Sequence, residues 1–300
     1  MNNTTIAIIG AGAVGTTTAY ALIMKNIPAD IILIDINETR CAGEIMDLSD
    51  AIPLCSGNTT IATGTVTDAQ KADIIIIAAG KRQEVGQSRA DLVAANKTML
   101  STLMTQMKPL KQTALIIMVT NPVDILTYHA QHWSGLPHTQ VFGTGTFLDS
   151  VRVKELLAEK LQARMSSINA SIIGEHGDHQ LPAWSATEID GKSLKSFPQI
   201  TEQYLLKIAE KTKNKVYDII ACKGSTSYGI ATCIARICQT IIFDEKQIIP
   251  LSCFIESFGV YVSMPTVLGR SGIEKIIALS LNDHEQQQLN YCAQEIKKAL

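Results

Sequence analysis

The sequence predicts an α/β protein in which a doubly wound parallel sheet is followed by a second, α+β domain. Three observations carry this expectation. Through the first 145 residues, short apolar runs alternate with helix-like stretches, the pattern of strand-helix units that cover both faces of a parallel sheet. A G-x-G-x-x-G run, Gly10 to Gly15, lies between the first strand and the first helix. After Phe142 the alternation stops, and long helical segments and two extended runs follow. A chain of 300 residues is long enough for two domains of ordinary size. The change of pattern puts them at 1–142 and 143–300.

Taken in order, IAIIG (6–10), DIILID (30–35), ADIIIIAAG (72–80) and ALIIMVT (114–120) are apolar without alternation, as strands buried on both faces must be. Helical stretches are expected between them, around Val14 to Lys25, Thr39 to Leu48 and Asp91 to Met107. Beyond the turn GTGT (143–146), a helix from about Leu148 to Leu161 leads into INASIIGEHGDH (168–179). Helices near Tyr204 to Lys223 and Ser227 to Phe243 come next, then the strand-like IIPLSCFIE (248–256) and GVYVSMPTVLG (259–269), and an amphipathic helix from about Asp283. The chain has no repeat, low-complexity tract or flexible linker.

With 46% hydrophobic and 18% charged residues and a formal net charge of -2, the composition is that of a soluble globular protein. It exerts no long-range pull on nucleic acid or an anionic membrane. A small anionic substrate would have to be met by locally placed arginines. No stretch approaches the roughly 18 apolar residues of a membrane span. The N-terminal MNNTTIAIIG lacks the basic and apolar regions of a secretory signal. Seven scattered cysteines without a C-x-x-C pair read as free thiols, and a reducing cytoplasm is the expected compartment.

Gly10, Gly12 and Gly15 form the dinucleotide fingerprint of a Rossmann domain. The first glycine permits the tight turn, the second lets the backbone approach a pyrophosphate, and the third allows close helix packing. With Ala13 and Val14 they place helix N-terminal amides before the phosphates. Asp35, 20 residues past Gly15 at the end of the next apolar run, is placed to accept hydrogen bonds from an adenine-ribose hydroxyl. A 2'-phosphate there would meet like charge, so NAD is expected rather than NADP.

His176 lies at the end of a strand between Gly174 and Gly177, a placement that presents a side chain to a cleft. Five of the six histidines fall between residues 129 and 179, so position alone selects none. His129 and His132, three apart on a helix, have no carboxylate or cysteine nearby to complete a metal site; no metal is expected. In LDSVR, Asp149 and Arg152 share one helix face. They could orient an imidazole and clamp a substrate carboxylate, or they could form a plain surface ion pair, which spacing alone favours.

GAGAVG (10–15), KRQEVGQSRADLV (81–93), VTNPVD (119–124), LDSVR (148–152), GEHGDH (174–179) and KGSTSYGIA (223–231) occur in the order seen in L-lactate dehydrogenases. From about Ile6 to the C-terminal helix the chain resembles that family. The resemblance implies a lactate/malate dehydrogenase fold, NAD as cofactor and a homotetramer. It makes His176 the proton donor and acceptor, Asp149 the carboxylate that orients it and raises its pKa, and Arg152 the anchor of the substrate carboxylate. Arg89, in the loop after the strand at 72–80, resembles the arginine that polarises the substrate carbonyl when that loop closes, with Gly86 supplying flexibility. Asn121 resembles the residue that bonds cofactor and substrate near the reacting centre, and Thr226 one that lines the substrate pocket.

Gln83 is expected to decide the substrate. Malate-type members carry an arginine at the matching position for the second carboxylate of oxaloacetate. A neutral amide leaves that charge unpaired, at a cost of several kcal/mol. Pyruvate, giving L-lactate as in fermentation, is therefore the expected substrate; a malate dehydrogenase, or a dehydrogenase of a larger 2-hydroxy acid sized by Glu84, Val85, Ser227 and Ile230, is the alternative. A catalytically silent NAD-binding sensor or scaffold is the alternative of another class. Lys154 and Asn169 stand where allosteric bacterial relatives place an arginine and a histidine, so no strong activation by fructose 1,6-bisphosphate is expected. With five residues before the first strand, a long N-terminal arm is not expected either.

Overall fold

The computed structural model describes residues 3–81 and 89–300, the side chains of residues 89 and 90 excepted. Its first half runs β1 (Thr4–Ile9), α1 (Ala13–Met24), β2 (Ala29–Ile34), α2 (Glu38–Ala51), β3 (Thr60–Thr63), β4 (Ile74–Ile77), α3 (Arg89–Gln106), β5 (Leu115–Met118), α4 (Val123–Ser134) and β6 (Val141–Gly143). These strands pair in parallel in the order β3-β2-β1-β4-β5-β6, the Rossmann arrangement. The chain reverses its direction of travel between β1 and β4, which opens a crevice at the C-terminal ends of those strands.

All four expected apolar runs are strands of this sheet. The third is shorter than expected: only Ile74–Ile77 are strand, with Ala72, Asp73 and Ala78 to Gly80 outside it. Two of its strands were not legible: β3, TIAT, is mostly exposed at the sheet edge and lacks the apolar run that marks its neighbours, and β6, VFG, is only three residues long. Alternate residues of β1 sort to opposite faces. Ile6 and Ile8 join a core with Leu22 and Ile23 of α1; Ala7 and Ile9 join another with Leu100 and Met104 of α3. Each fully buried isoleucine stabilises the fold by ~1.5–3 kcal/mol.

The second half runs α5 (Phe147–Leu161), β7 (Ile168–Asn169), β8 (Ile172–Gly174), β9 (Gln180–Pro182), β10 (Glu188–Ile189), β11 (Lys192–Ser193), α6 (Glu202–Lys223), α7 (Tyr228–Ile242), β12 (Gln247–Ile255), β13 (Val260–Gly269), β14 (Gly272–Ile276) and α8 (Asp283–Ala299). Local chemistry sets several helix ends. Thr201 caps α6, which stops at Gly224 in the left-handed region (φ 80), and Asn282 and Glu285 form a capping box on α8. The antiparallel β12–β13 hairpin does not form a sheet of its own. It extends the parallel sheet through the pair Ser252↔Gly143, and β13 carries β8 and β9 beyond it. The strands β7, β10 and β11 form a small separate sheet.

Candidate active site

The turn from β1 into α1 has the shape that a dinucleotide requires. Gly10 has φ +107, and a Cβ there would lie 2.6 Å from the Ala79 nitrogen; a Cβ at Gly15 would lie 1.8 Å from the Gly10 carbonyl oxygen. The first glycine is thus needed for conformation and the third for packing. A Cβ on Gly12 would meet nothing within 4 Å, so the backbone there faces open space, the room a pyrophosphate needs above the amides of Ala13 and Val14. Asp35 stands just past the end of β2. Its Oδ2 accepts the Ala11 N–H at 2.7 Å and its Oδ1 the Asn37 N–H at 2.9 Å, so it also braces the glycine turn. Each carboxylate oxygen accepts more than one bond, which leaves capacity for ribose hydroxyls. These residues fit NAD.

Five of the expected catalytic and substrate residues come together at the other side of the same crevice. A cavity of about 170 Å³ is lined by Val14, Asn121, Asp149, Arg152, His176 and Thr226, among others. Val14 belongs to the cofactor turn, so the two halves of the site share a wall. Ile230 lines the cavity too, as do Val216 and Tyr217 of α6. Asp149, in the first turn of α5, is 3% exposed at its side chain, and its Oδ1 accepts a bond from Arg152 Nη1 at 3.2 Å. The pair is buried, not the surface ion pair that spacing alone favours.

His176 follows β8, whose last residue, Gly174, has φ +87; Gly177 has φ +140. Its Nδ1 lies 2.8 Å from Asp149 Oδ2. A carboxylate only accepts, so Nδ1 carries the proton and Nε2 is the nitrogen left for chemistry. The side chain keeps 31% exposure. Burial pulls the imidazole pKa down, but the Asp149 hydrogen bond and the charges of Asp149 and Asp124 outweigh it and the opposing Arg152, and the net shift is upward.

Asp124 was not foreseen. It sits on α4, 2% exposed, and its Oδ2 accepts the backbone N–H of His176 at 2.8 Å. Burial lifts its pKa to about 6 against the pull of that N–H. Its one sequence signal is a carboxylate inside the otherwise apolar VDIL at a helix start. Asn96 is another such residue. Almost wholly buried on α3, it accepts the Lys81 N–H at 2.8 Å and donates to the Asn121 carbonyl at 3.0 Å, tying the ends of β4 and β5 together.

Arg89 opens helix α3, whereas the sequence places it in a loop; its helical start was masked by the polar run before it. Its side chain, together with Arg82, Gln83, Glu84, Val85 and Gly86, lies outside the described residues. His129 is buried and stacked on Trp133 with ring centroids 5.1 Å apart, and burial pushes its pKa down to about 4. Among the described residues no group of three or more histidine, cysteine or acidic side chains is placed to hold a metal ion. All seven cysteines are free.

A dinucleotide turn facing an imidazole–carboxylate pair and a buried arginine is the arrangement of a nicotinamide-dependent oxidoreductase. The chain belongs to the lactate/malate dehydrogenase family: the family's NAD binding domain matches residues 4–143 and its alpha/beta C-terminal domain residues 146–300. It is 39% identical to L-lactate dehydrogenase A of Rhizopus oryzae over 292 residues, 97% of this chain and 91% of that one. It is 37% identical to the L-lactate dehydrogenase of Lacticaseibacillus casei, over 98% of this chain and 93% of the relative. Among solved structures, the minor L-lactate dehydrogenase of Enterococcus mundtii in its ligand-bound form superposes with a TM-score of 0.95 at 33% identity, covering 100% of this chain and 98% of that one. A lactate dehydrogenase from a Medee basin deep-sea metagenome library gives the same TM-score at 30% identity and the same coverage. The protein is an NAD-dependent oxidoreductase of this family acting on a small-molecule substrate.

Proposed function

We propose that this chain is an L-lactate dehydrogenase that interconverts pyruvate and L-lactate, with His176 as the proton donor and acceptor. The observation that carries the reading is the 2.8 Å bond between His176 Nδ1 and the buried Asp149 beside Arg152. Arg152 grips the substrate carboxylate with its paired N–H groups and so sets where the 2-oxo carbon lies. Bound NADH supplies the hydride. As charge grows on the substrate oxygen, His176 delivers its Nε2 proton there, and Asp149 stabilises the imidazolium that exists before that transfer. In the reverse direction neutral His176 takes the hydroxyl proton. Arg89 polarises the carbonyl, Asn121 bonds at the reacting centre and Thr226 shapes the pocket.

Gln83 is the specificity residue of this proposal, because a neutral amide does not pair with a second carboxylate. The test follows NADH oxidation with pyruvate, oxaloacetate and larger 2-oxo acids, with His176→Ala as control. The kcat/KM for pyruvate is expected to exceed that for oxaloacetate by about tenfold or more, ~1.4 kcal/mol in transition-state binding. Equal values, or an active His176→Ala, would refute the reading.

The proposed assembly is a homotetramer. Ile36, Leu54 and Met46 around α2, and Tyr217 and Tyr228 on α6 and α7, are large apolar side chains left exposed on one chain. Light scattering checks the mass. No helix among the described residues is long and apolar enough to cross a membrane, and the free thiols support a cytoplasmic location.

A further inference from the structure

His176 sits in a five-residue loop, 175–179, that joins β8 to β9. The loop has little backbone bonding to hold it: the Gln180 N–H reaches the Gly177 carbonyl only at 3.4 Å, and Gly174 and Gly177 both have positive φ. Yet a proton donor loses rate when displaced by tenths of an ångström. Side chains from four helices hold this loop instead. Asp124 on α4 takes the His176 N–H, and Asp149 on α5 takes Nδ1. Lys213 on α6 donates to the Asp178 carbonyl at 3.0 Å and lies 3.3 Å from its carboxylate. The fourth tether, to α8, has no part in the chemistry described so far.

That tether joins the two ends of the loop. Glu175, its side chain only 6% exposed, bonds His179 Nδ1 through Oε2 at 2.6 Å. The Glu175 N–H points at Cys292 Sγ on α8 at 2.9 Å, and the His179 ring stands edge-on to Tyr291 of α8 with centroids 5.5 Å apart. We propose that His179 is a positioning residue: bonded to Glu175 and docked on Tyr291, it closes the loop across its ends and fixes His176 against Asp149. The inference rests on the reading of His176 as proton donor. It also makes α8 a support of the active site, although no residue of α8 lines the substrate cavity.

The charged and titratable groups around the loop are Asp124, Asp149, Arg152 and Lys213 from the helices named, Glu175 and Asp178 within it, Tyr291, Glu295 and Lys298 on α8, and Lys97 on α3. Steady-state kinetics of full-length His179→Ala and His179→Asn test the proposal. With alanine, kcat for pyruvate reduction is expected to fall about tenfold while the pyruvate KM and NADH affinity stay within about twofold, since Arg152 and the glycine turn lie on other elements. Asparagine places an amide donor where Nδ1 stood and is expected to restore most of kcat. Loosening the Asp149 bond removes part of what raises the His176 pKa, so the alkaline limb of kcat/KM moves to lower pH with alanine and stays with asparagine. Tyr291→Leu, at an exposed position, lowers kcat about threefold with KM unchanged and carries the test if the alanine variant does not fold. Unchanged kcat in both His179→Ala and Tyr291→Leu, or asparagine no better than alanine, overturns the proposal. If His176→Ala keeps its activity, the reading of the proton donor fails instead.

Discussion

Asp124 takes the backbone N–H of His176 at 2.8 Å across 52 residues of sequence. The α4 helix thereby holds the loop that presents the proposed proton donor, through a carboxylate almost wholly removed from water. Hydrogen bonds of this kind, between a buried charge and a main-chain amide, are strong once formed and costly to break. The burial of Asp124 also leaves a signature in the pH dependence.

Replacing Asp124 with asparagine tests that signature. A carboxyl whose pKa is raised by folding binds its proton more tightly in the native state. Its contribution favours the fold below the unfolded value of 3.8 and is lost as pH climbs to about 6. Asn has no proton to lose, so the unfolding free energy of Asp124→Asn relative to the parent is expected to shift in favour of the variant over that window, by up to about 3 kcal/mol. Urea melts at stepped pH measure it, and a flat difference rejects it. Because the Asp124 charge helps raise the His176 pKa, the same variant should lose pyruvate-reducing activity at lower pH than the parent does.

Arg152→Lys separates anchoring from charge. Lysine keeps the positive charge but not the paired donors that match a carboxylate. It also gives up the geometry of the buried bond to Asp149. The expected loss in kcat/KM for pyruvate is on the order of a hundredfold or more, with NADH affinity unchanged by fluorescence titration. A loss below about threefold would move the anchor elsewhere.

Two glycines of the cofactor turn should behave differently. A methyl group at Gly15 would stand 1.8 Å from the Gly10 oxygen, so Gly15→Ala is expected to lower both Tm and NADH affinity. At Gly12 the same methyl group meets nothing within 4 Å. Gly12→Ala should therefore leave Tm nearly unchanged and weaken NADH binding alone, by about tenfold or more. Equal effects at the two positions would contradict these roles.

Gln83→Arg should invert the substrate preference, raising kcat/KM for oxaloacetate above that for pyruvate. A guanidinium there would pair the second carboxylate and leave pyruvate with an unmatched charge in the pocket. An unchanged ratio would take Gln83 out of substrate recognition.

Fructose 1,6-bisphosphate should leave the pyruvate KM essentially unchanged. Asn169 carries no charge, which leaves Lys154 as the single cation of the two positions, so they make a poor phosphate site. A large fall in KM on adding the sugar phosphate would show otherwise.

The parts of this protein that could be read from sequence are those in which one local pattern determines the structure. Four unbroken apolar runs became central strands because burial on both faces leaves no alternation. The cofactor turn was legible because its spacing is a steric requirement, as the 1.8 Å approach at Gly15 shows. By contrast β3 and β6 were hidden: an edge strand needs only half the burial and TIAT carries little apolar weight, and VFG is too short to form a run of its own. Asp124, Asn96 and the Glu175–His179 pair were hidden for a different reason. Each draws its role from a partner or a neighbouring helix that only the folded chain supplies, and nothing in a neighbouring residue announces that partner. Asp149 and Arg152 lie between these cases: spacing put them on one face, and only the fold showed that face to be interior.

The join at Ser252↔Gly143 makes one sheet of what the sequence reads as two territories. The turn shaped for the cofactor's pyrophosphate and the loop that carries His176 are thus built on one continuous ladder. Separating the halves at 143–146 would leave two raw edges, β6 and β12, each seeking a replacement strand and prone to aggregate. Calorimetry of the intact chain should accordingly record one endotherm, with cofactor and acid lost together. Neither half is a portable module: a gene encoding only the first would specify a nucleotide binder with an open seam, and one encoding only the second an acid site with no floor.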